Sequence, residues 1–219
     1  MKHKSQSINR RGLLVTAAGA ALATASTKGR ASSVAIKGHI KQSIVSWCFS
    51  SMGDKWDIQK QCQVANELGC VSIELTQPAN WPILKQHGLT CAIAPNGMPG
   101  APYVKGFNNL KYQEEVITRT TKMIDACAAA HIPAVIAFTG FKWRNAEDSS
   151  SGAMTDEEAF DNCVVGLKKI AVHAEKQNVT ICLEHLNTRD DSHPMKGHPG
   201  YQGEDVDAVA TMLRRVGSD

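Results

Sequence analysis

Glu184 ends an apolar run, Val179–Glu184 (VTICLE), and a polar loop rich in His, Asn, Arg and Asp follows it directly. A carboxylate at the end of a run of Val, Ile, Cys and Leu is partly desolvated. It needs a cation or hydrogen-bond donors nearby, or its pKa rises. Either outcome suits chemistry: proton transfer in one case, ligation of a metal ion in the other. Glu74 ends a second such run, VSIEL, and repeats the situation less sharply. The loop after Glu184, HLNTRDDSHPMKGHPGYQG, offers His185, Asn187, Arg189 and His198 as donors for a small polyhydroxylated or carboxylate substrate. Long loops of this kind are either functional or simply solvated. Trp47, Trp143 and Arg144 also follow strand-like runs, as pocket walls and a guanidinium or as loop packing.

The elements that must position these groups alternate strand and helix. Strand-like runs fall at Ser43–Phe49, Cys70–Leu75, Leu89–Ala94, Pro133–Phe138 and Val179–Glu184. Helical spacing appears between them: Ile58, Cys62, Ala65 and Leu68; a short segment Trp81–Gln86; about Leu110–Ala130; Phe160, Val164, Leu167, Ala171 and Ala174; and finally Val206, Val209, Leu213 and Val216. Thr155-Asp156-Glu157-Glu158 has the form of a capping box. Loops fill 95–108, 139–154 and 185–203, and no hairpin signal is evident.

Apolar strands, each followed by an amphipathic helix, imply a parallel sheet covered by helices. A doubly wound sheet and an incomplete (β/α)8 barrel of about five β-α units both fit. No GxGxxG or GxxxxGK[ST] follows a strand, which disfavours nucleotide-binding versions. In either architecture ligands sit at the carboxyl ends of the strands. That places His87 and His131, which precede strands, in the scaffold. His173, within a helix, belongs to the outer surface. His193 and His198 follow the fifth strand but lack HExxH spacing, so a zinc protease is disfavoured.

Residues 1–31 read as a leader. Asn9-Arg10-Arg11-Gly12 precedes a mild apolar run, Leu13–Ala25, which is shorter than the about 20 residues a membrane helix needs. The adjacent arginines predict twin-arginine export to the periplasm, with cleavage after Ala25 or Ala31. The leader holds six basic residues and no acid. The remainder therefore carries 18 basic against 21 acidic side chains, and the net +3 of the chain becomes −3. This leaves no basic patch for nucleic acid and no segment for stable membrane insertion. Seven cysteines, an odd number with no CxxC, read as small buried hydrophobes rather than disulfides.

The segments SIVSWCF, NWPILKQHGLTCAIAPNG and above all NVTICLEHLNTRDDSHPMKGHPGYQ resemble the xylose isomerase-like TIM-barrel superfamily of sugar isomerases and epimerases. The resemblance runs from about Lys41 to Asp219 and is nearest to exported hydroxypyruvate isomerase-like proteins. It implies a leader over 1–31 and a partial barrel over 40–219 that stops short of the last strands. It further implies that Glu184 is both acid/base and ligand to a divalent ion, Mg or Mn, with the remaining ligands supplied by strands beyond this chain. The reaction it implies interconverts hydroxypyruvate and tartronate semialdehyde through a metal-stabilised enediolate. Another sugar isomerase or ketose 3-epimerase is the nearest rival. A DNA-repair endonuclease of the same fold sits poorly with the acidic body. A non-catalytic remnant or binding module is the alternative outside enzymes. Expected partners are a small-molecule substrate and the export machinery, with a homo-oligomer left open.

Overall fold

Short strands whose helix-facing side is apolar pair side by side in chain order. The structure, a computed structural model, describes residues 40–192 and 197–218. The expected leader and His193 lie outside the described residues. The elements run β1 (Ser43–Val45), α1 (Ser46–Ser50), α2 (Ile58–Glu67), β2 (Ser72–Glu74), α3 (Trp81–Gln86), α4 (Leu110–Ala130), β3 (Ala134–Ala137), β4 (Trp143–Asn145), β5 (Asp148–Ala153), α5 (Asp156–Gln177), β6 (Thr180–Leu183) and α6 (Val206–Val216).

β1 pairs parallel with β2, placing Val45 opposite Glu74. A parallel bridge joins Ser72 to Thr90, and another joins Ala94 to Val135. β3 then pairs parallel with β6 from Ala134↔Thr180 to Ala137↔Leu183. Apart from the separate β4–β5 pair, the parallel segments β1, β2, 89–94, β3 and β6 neighbour one another in chain order, with no reversal. A doubly wound sheet must reverse at a switch point, whereas a barrel does not. The chain is therefore an α/β fold that forms part of a (β/α) barrel.

The strand alternation sorts side chains to two faces. Ile44, Ile73, Val135, Ala137, Ile181 and Leu183 face the helices and join the main core with Cys62, Val116, Ile124, Cys163, Leu167 and Ile170. The opposite, inner face carries Ser43, Glu74, Ile136 and Cys182. Near its carboxyl edge, Ile136, Phe138 and Tyr201 form a second apolar cluster with Leu75, Ile93, Tyr103, Phe141 and Leu186 packed against it.

Four expectations are corrected. The run Ser43–Phe49 is a strand only to Val45; its second half coils into α1, so Trp47 sits on a helix and is 39% exposed. The run Leu89–Ala94 is no regular strand. Ile73 N–H donates to Thr90 C=O and Leu75 N–H to Ile93 C=O, so three residues on one side oppose two on the other, as in a bulge. Segment 139–154 holds an antiparallel hairpin, β4 with β5, despite the polar SSSG run that hid it. The apolar face of α6 centres on buried Val209 and Met212, while Val206 and Leu213 are exposed.

All seven cysteines are free thiols; five are buried as expected of small hydrophobes, whereas Cys182 is half-buried and Cys48 exposed. His131 caps α4 in the left-handed region and His173 pairs with Asp125 at 2.6 Å, both scaffold roles. Among the described residues, no helix is long and apolar enough to cross a membrane.

Candidate functional site

Glu184 is the first residue past β6, where the last apolar residue of the strand hands over to the loop. Its N–H still donates to Ala137 C=O at 2.9 Å, so the strand geometry holds its backbone. The side chain follows Thr180 and Cys182 onto the inner, half-exposed face. Burial pushes the Glu184 carboxyl above its ordinary value; the Glu74 carboxylate pushes it further up, and His185 opposes both. The two strand-end acids singled out by sequence thus stand at the same carboxyl edge of the sheet.

Glu74 accepts a hydrogen bond from the Ser43 hydroxyl of the neighbouring strand. The residue after it, Leu75, has φ +56°, a left-handed conformation uncommon for a bulky side chain. Packing of Leu75 against the Ile136, Phe138 and Tyr201 cluster holds it there. Such locally costly backbone is found at sites where the surrounding fold over-determines it.

The loop after Glu184 is built by its own polar groups. His185 places Nδ1 2.8 Å from Gly203 C=O, which makes Nδ1 the protonated nitrogen in the neutral ring. Asn187 Oδ1 accepts from Arg189 N–H at 2.9 Å, and Asn187 C=O accepts from His198 N–H at 2.7 Å. The His198 ring stands edge-on to Tyr103, with ring centres 4.3 Å apart, and burial lowers its pKa. Arg189 is exposed on the same loop. Trp47 lies after β1, and the described contacts do not join it to this group. Arg144, read as a pocket guanidinium or as loop packing, forms a two-pronged ion pair with Glu158 at 3.0 and 3.1 Å. That pair also takes the Glu158 carboxylate out of the expected capping box, although Thr155 Oγ1 still accepts from Glu158 N–H at 3.1 Å.

Several positioning residues carry no acid or imidazole and gave no signal in sequence. Buried Gln202 donates to Asp156 Oδ1 at 2.8 Å and accepts from Asn108 Nδ2 at 3.0 Å. Asn108 also donates to Phe141 C=O at 2.9 Å. Thr139, just past β3, donates its hydroxyl to Gln202 C=O. Gly200, at φ +95°, lets the loop lie against Trp143: a Cβ there would be 2.7 Å from the indole nitrogen. These bonds staple the loop after β6 to the segment after β3 and to the start of α5. Cavities of about 440 and 420 Å³ lie elsewhere, one lined by α5, β6 and α6 residues and the other lined by Trp143 and Phe141. The carboxylates stand instead on the open inner face, where the strand-end rule places chemistry.

Among the described residues no three His, Cys, Asp or Glu side chains gather into a metal site. Glu184 and Glu74 alone do not supply the near-octahedral oxygen set that Mg or Mn requires.

Known structures of this shape are numerous. AP endonuclease, family 2 from Brucella melitensis superposes with a TM-score of 0.60 at 17% identity, over 82% of this chain and 66% of that one. D-psicose 3-epimerase with D-tagatose from Clostridium cellulolyticum H10 gives 0.58 at 13% identity, over 82% and 61%. The IOLI protein with a binding zinc atom gives 0.60 at 14% identity, over 81% and 59%. The chain thus spans 59–66% of the length of these structures, and at such identities the likeness is one of fold. No curated protein matches the chain. Residues 62–219 match the family described as xylose isomerase-like TIM barrel, and with the strand order and strand-end acids above, the chain belongs to that family.

Proposed function

We propose that this chain carries the proton-transfer site of a sugar isomerase or epimerase, with Glu184 as the base. The observation that carries the reading is that Glu184 and Glu74 both end strands at the carboxyl edge of one parallel sheet, with Glu184 half-buried and its pKa raised. A carboxylate tuned upward is a better base near neutral pH than an ordinary glutamate. Glu184 takes the proton from the carbon beside a carbonyl, and the C–H electron pair moves toward the carbonyl oxygen to give an enediolate. Returning that proton to the former carbonyl carbon, while the hydroxyl proton passes from the first oxygen to the second, completes an isomerisation. Delivery of a proton from the opposite face by a second acid, a role open to Glu74, completes an epimerisation. His185, Asn187, Arg189 and His198 are the candidate substrate contacts on the rim. The epimerases among the similar structures support this class.

A divalent ion would find Glu184 and Glu74 here and no third described ligand, so the step above uses protein groups only. Hydroxypyruvate as the substrate rests on the likeness of the 178–202 segment to hydroxypyruvate isomerase-like proteins. Export through the twin-arginine route rests on Arg10-Arg11; replacing both with lysine and finding the protein still in the periplasmic fraction would remove it.

The test is deuterium wash-in. The protein is incubated in D2O with hydroxypyruvate, D-fructose or D-tagatose, and the carbon-bound hydrogen beside the carbonyl is followed by NMR. Exchange with one substrate, abolished by Glu184→Gln, is expected. Undiminished exchange by Glu184→Gln would remove Glu184 from the reaction.

A further inference from the structure

The β3–β6 ladder is interrupted one step beyond Glu184, and a side chain fills the gap. Thr180 N–H donates to Pro133 C=O, and Glu184 N–H donates to Ala137 C=O. Parallel strands space such bonds evenly. The next bond in this register runs from Thr139 N–H to Glu184 C=O. Instead, Tyr201 Oη accepts from Thr139 N–H at 3.1 Å and donates to Glu184 C=O at 2.7 Å. The phenol is a rung of the sheet: its oxygen links the two strand ends where a direct bond would otherwise run.

A buried tyrosine commonly finds some partner for its hydroxyl. This one is held in place more firmly than that requires. Tyr201 is 3% exposed, its N–H donates to His198 C=O, and it bridges antiparallel to Phe141. The next residue, Gln202, donates its N–H to Gly140 C=O and anchors its side chain on Asp156 and Asn108. The loop is thereby stapled on both sides of the phenol.

We propose that Tyr201 is a positioning residue whose hydroxyl, inserted between Thr139 and Glu184, keeps the Glu184 carbonyl from its ladder bond and sets where the Glu184 carboxylate stands relative to Glu74. The inference rests on the reading of Glu184 as the base. Removing the oxygen lets Thr139 N–H close directly onto Glu184 C=O, drawing Glu184 into the sheet.

Tyr201→Phe keeps the ring and tests this in two ways. In its crystal structure the Thr139–Glu184 bond is expected to form directly; a gap of unchanged width would overturn the proposal. In the wash-in assay kcat is expected to fall on the order of 10²-fold with KM little changed, the cost of a small misplacement. Glu184→Gln is assayed beside it. If Glu184→Gln exchanges normally, the base reading fails. If Glu184→Gln is inactive while Tyr201→Phe keeps its kcat, the base reading stands and the positioning role fails. Should the phenylalanine variant not fold, amide exchange in the unaltered chain decides. A Thr139 N–H as protected as those of β3 supports the bridge, and one exchanging like a loop amide refutes it.

Discussion

Glu74 and Glu184 end strands at the same carboxyl edge of the sheet, three strand pairings apart, and the Glu74 carboxylate adds to the upward push on the Glu184 carboxyl. The like charge adds to burial, which is the larger cause, and His185 counteracts both. Replacing Glu74 with Gln removes one of the two upward pushes. The Glu184 carboxyl, followed by NMR titration, is then expected to titrate at lower pH than in the parent while staying above an ordinary glutamate. An unchanged midpoint would show that the two acids do not sense each other.

The same raised pKa sets a sign for stability. Between the ordinary glutamate value and the raised one, the folded chain binds more protons at Glu184 than the unfolded chain does, so stability from this group falls as pH rises. Its contribution is complete below the ordinary value and is lost as pH climbs through the folded value. Glu184→Gln carries no such loss. The variant is expected to melt above the parent at neutral pH and level with it in acid. Melting curves across that range check this, and a variant less stable at neutral pH would contradict it.

Gln202 ties Asn108 to Asp156, positions 94 and 46 residues away from it in sequence. Truncation to Ala takes one of the two acceptors from the buried Asn108 amide nitrogen and opens the loop staple. The expected loss is about 1–3 kcal/mol, the cost of leaving a buried polar group unmade. Urea unfolding measures it, and a change below a few tenths would mean that the loop contributes little to holding the fold.

The thiols should differ sharply in reactivity. Cys48 is exposed on α1, whereas burial pushes the Cys127 thiol up to about 12 and the Cys163 thiol up as well. A thiolate is the reactive form. One fast thiol against a disulfide reagent is expected in the folded protein, and Cys48→Ser should abolish it. Several fast thiols would show that the core opens readily.

Long helices were legible because their signals are local. The periodicity of Val116, Met123, Ile124 and Cys127 predicts α4, and the structure bounds it at Leu110–Ala130 as the spacing implied. The third strand and the hairpin were not legible. A bulge depends on the partner strand, and the hairpin's SSSG segment lacks the apolar alternation that marks a strand. Arg144 and Glu158 illustrate the same limit: the capping pattern is local, but a guanidinium 14 residues away competes for the carboxylate.

The sequence alone determined that Glu74 and Glu184 end apolar runs. Where an apolar run meets a polar loop, the strand stops, and alternation fixes the face each side chain takes. Which strands become neighbours, whether the two acids share one edge of the sheet, and whether a phenol enters the ladder beside one of them were decided only by the tertiary structure. Those outcomes depend on hydrogen-bond register between segments far apart in the chain, and no local pattern encodes the position of Tyr201 Oη between Thr139 and Glu184.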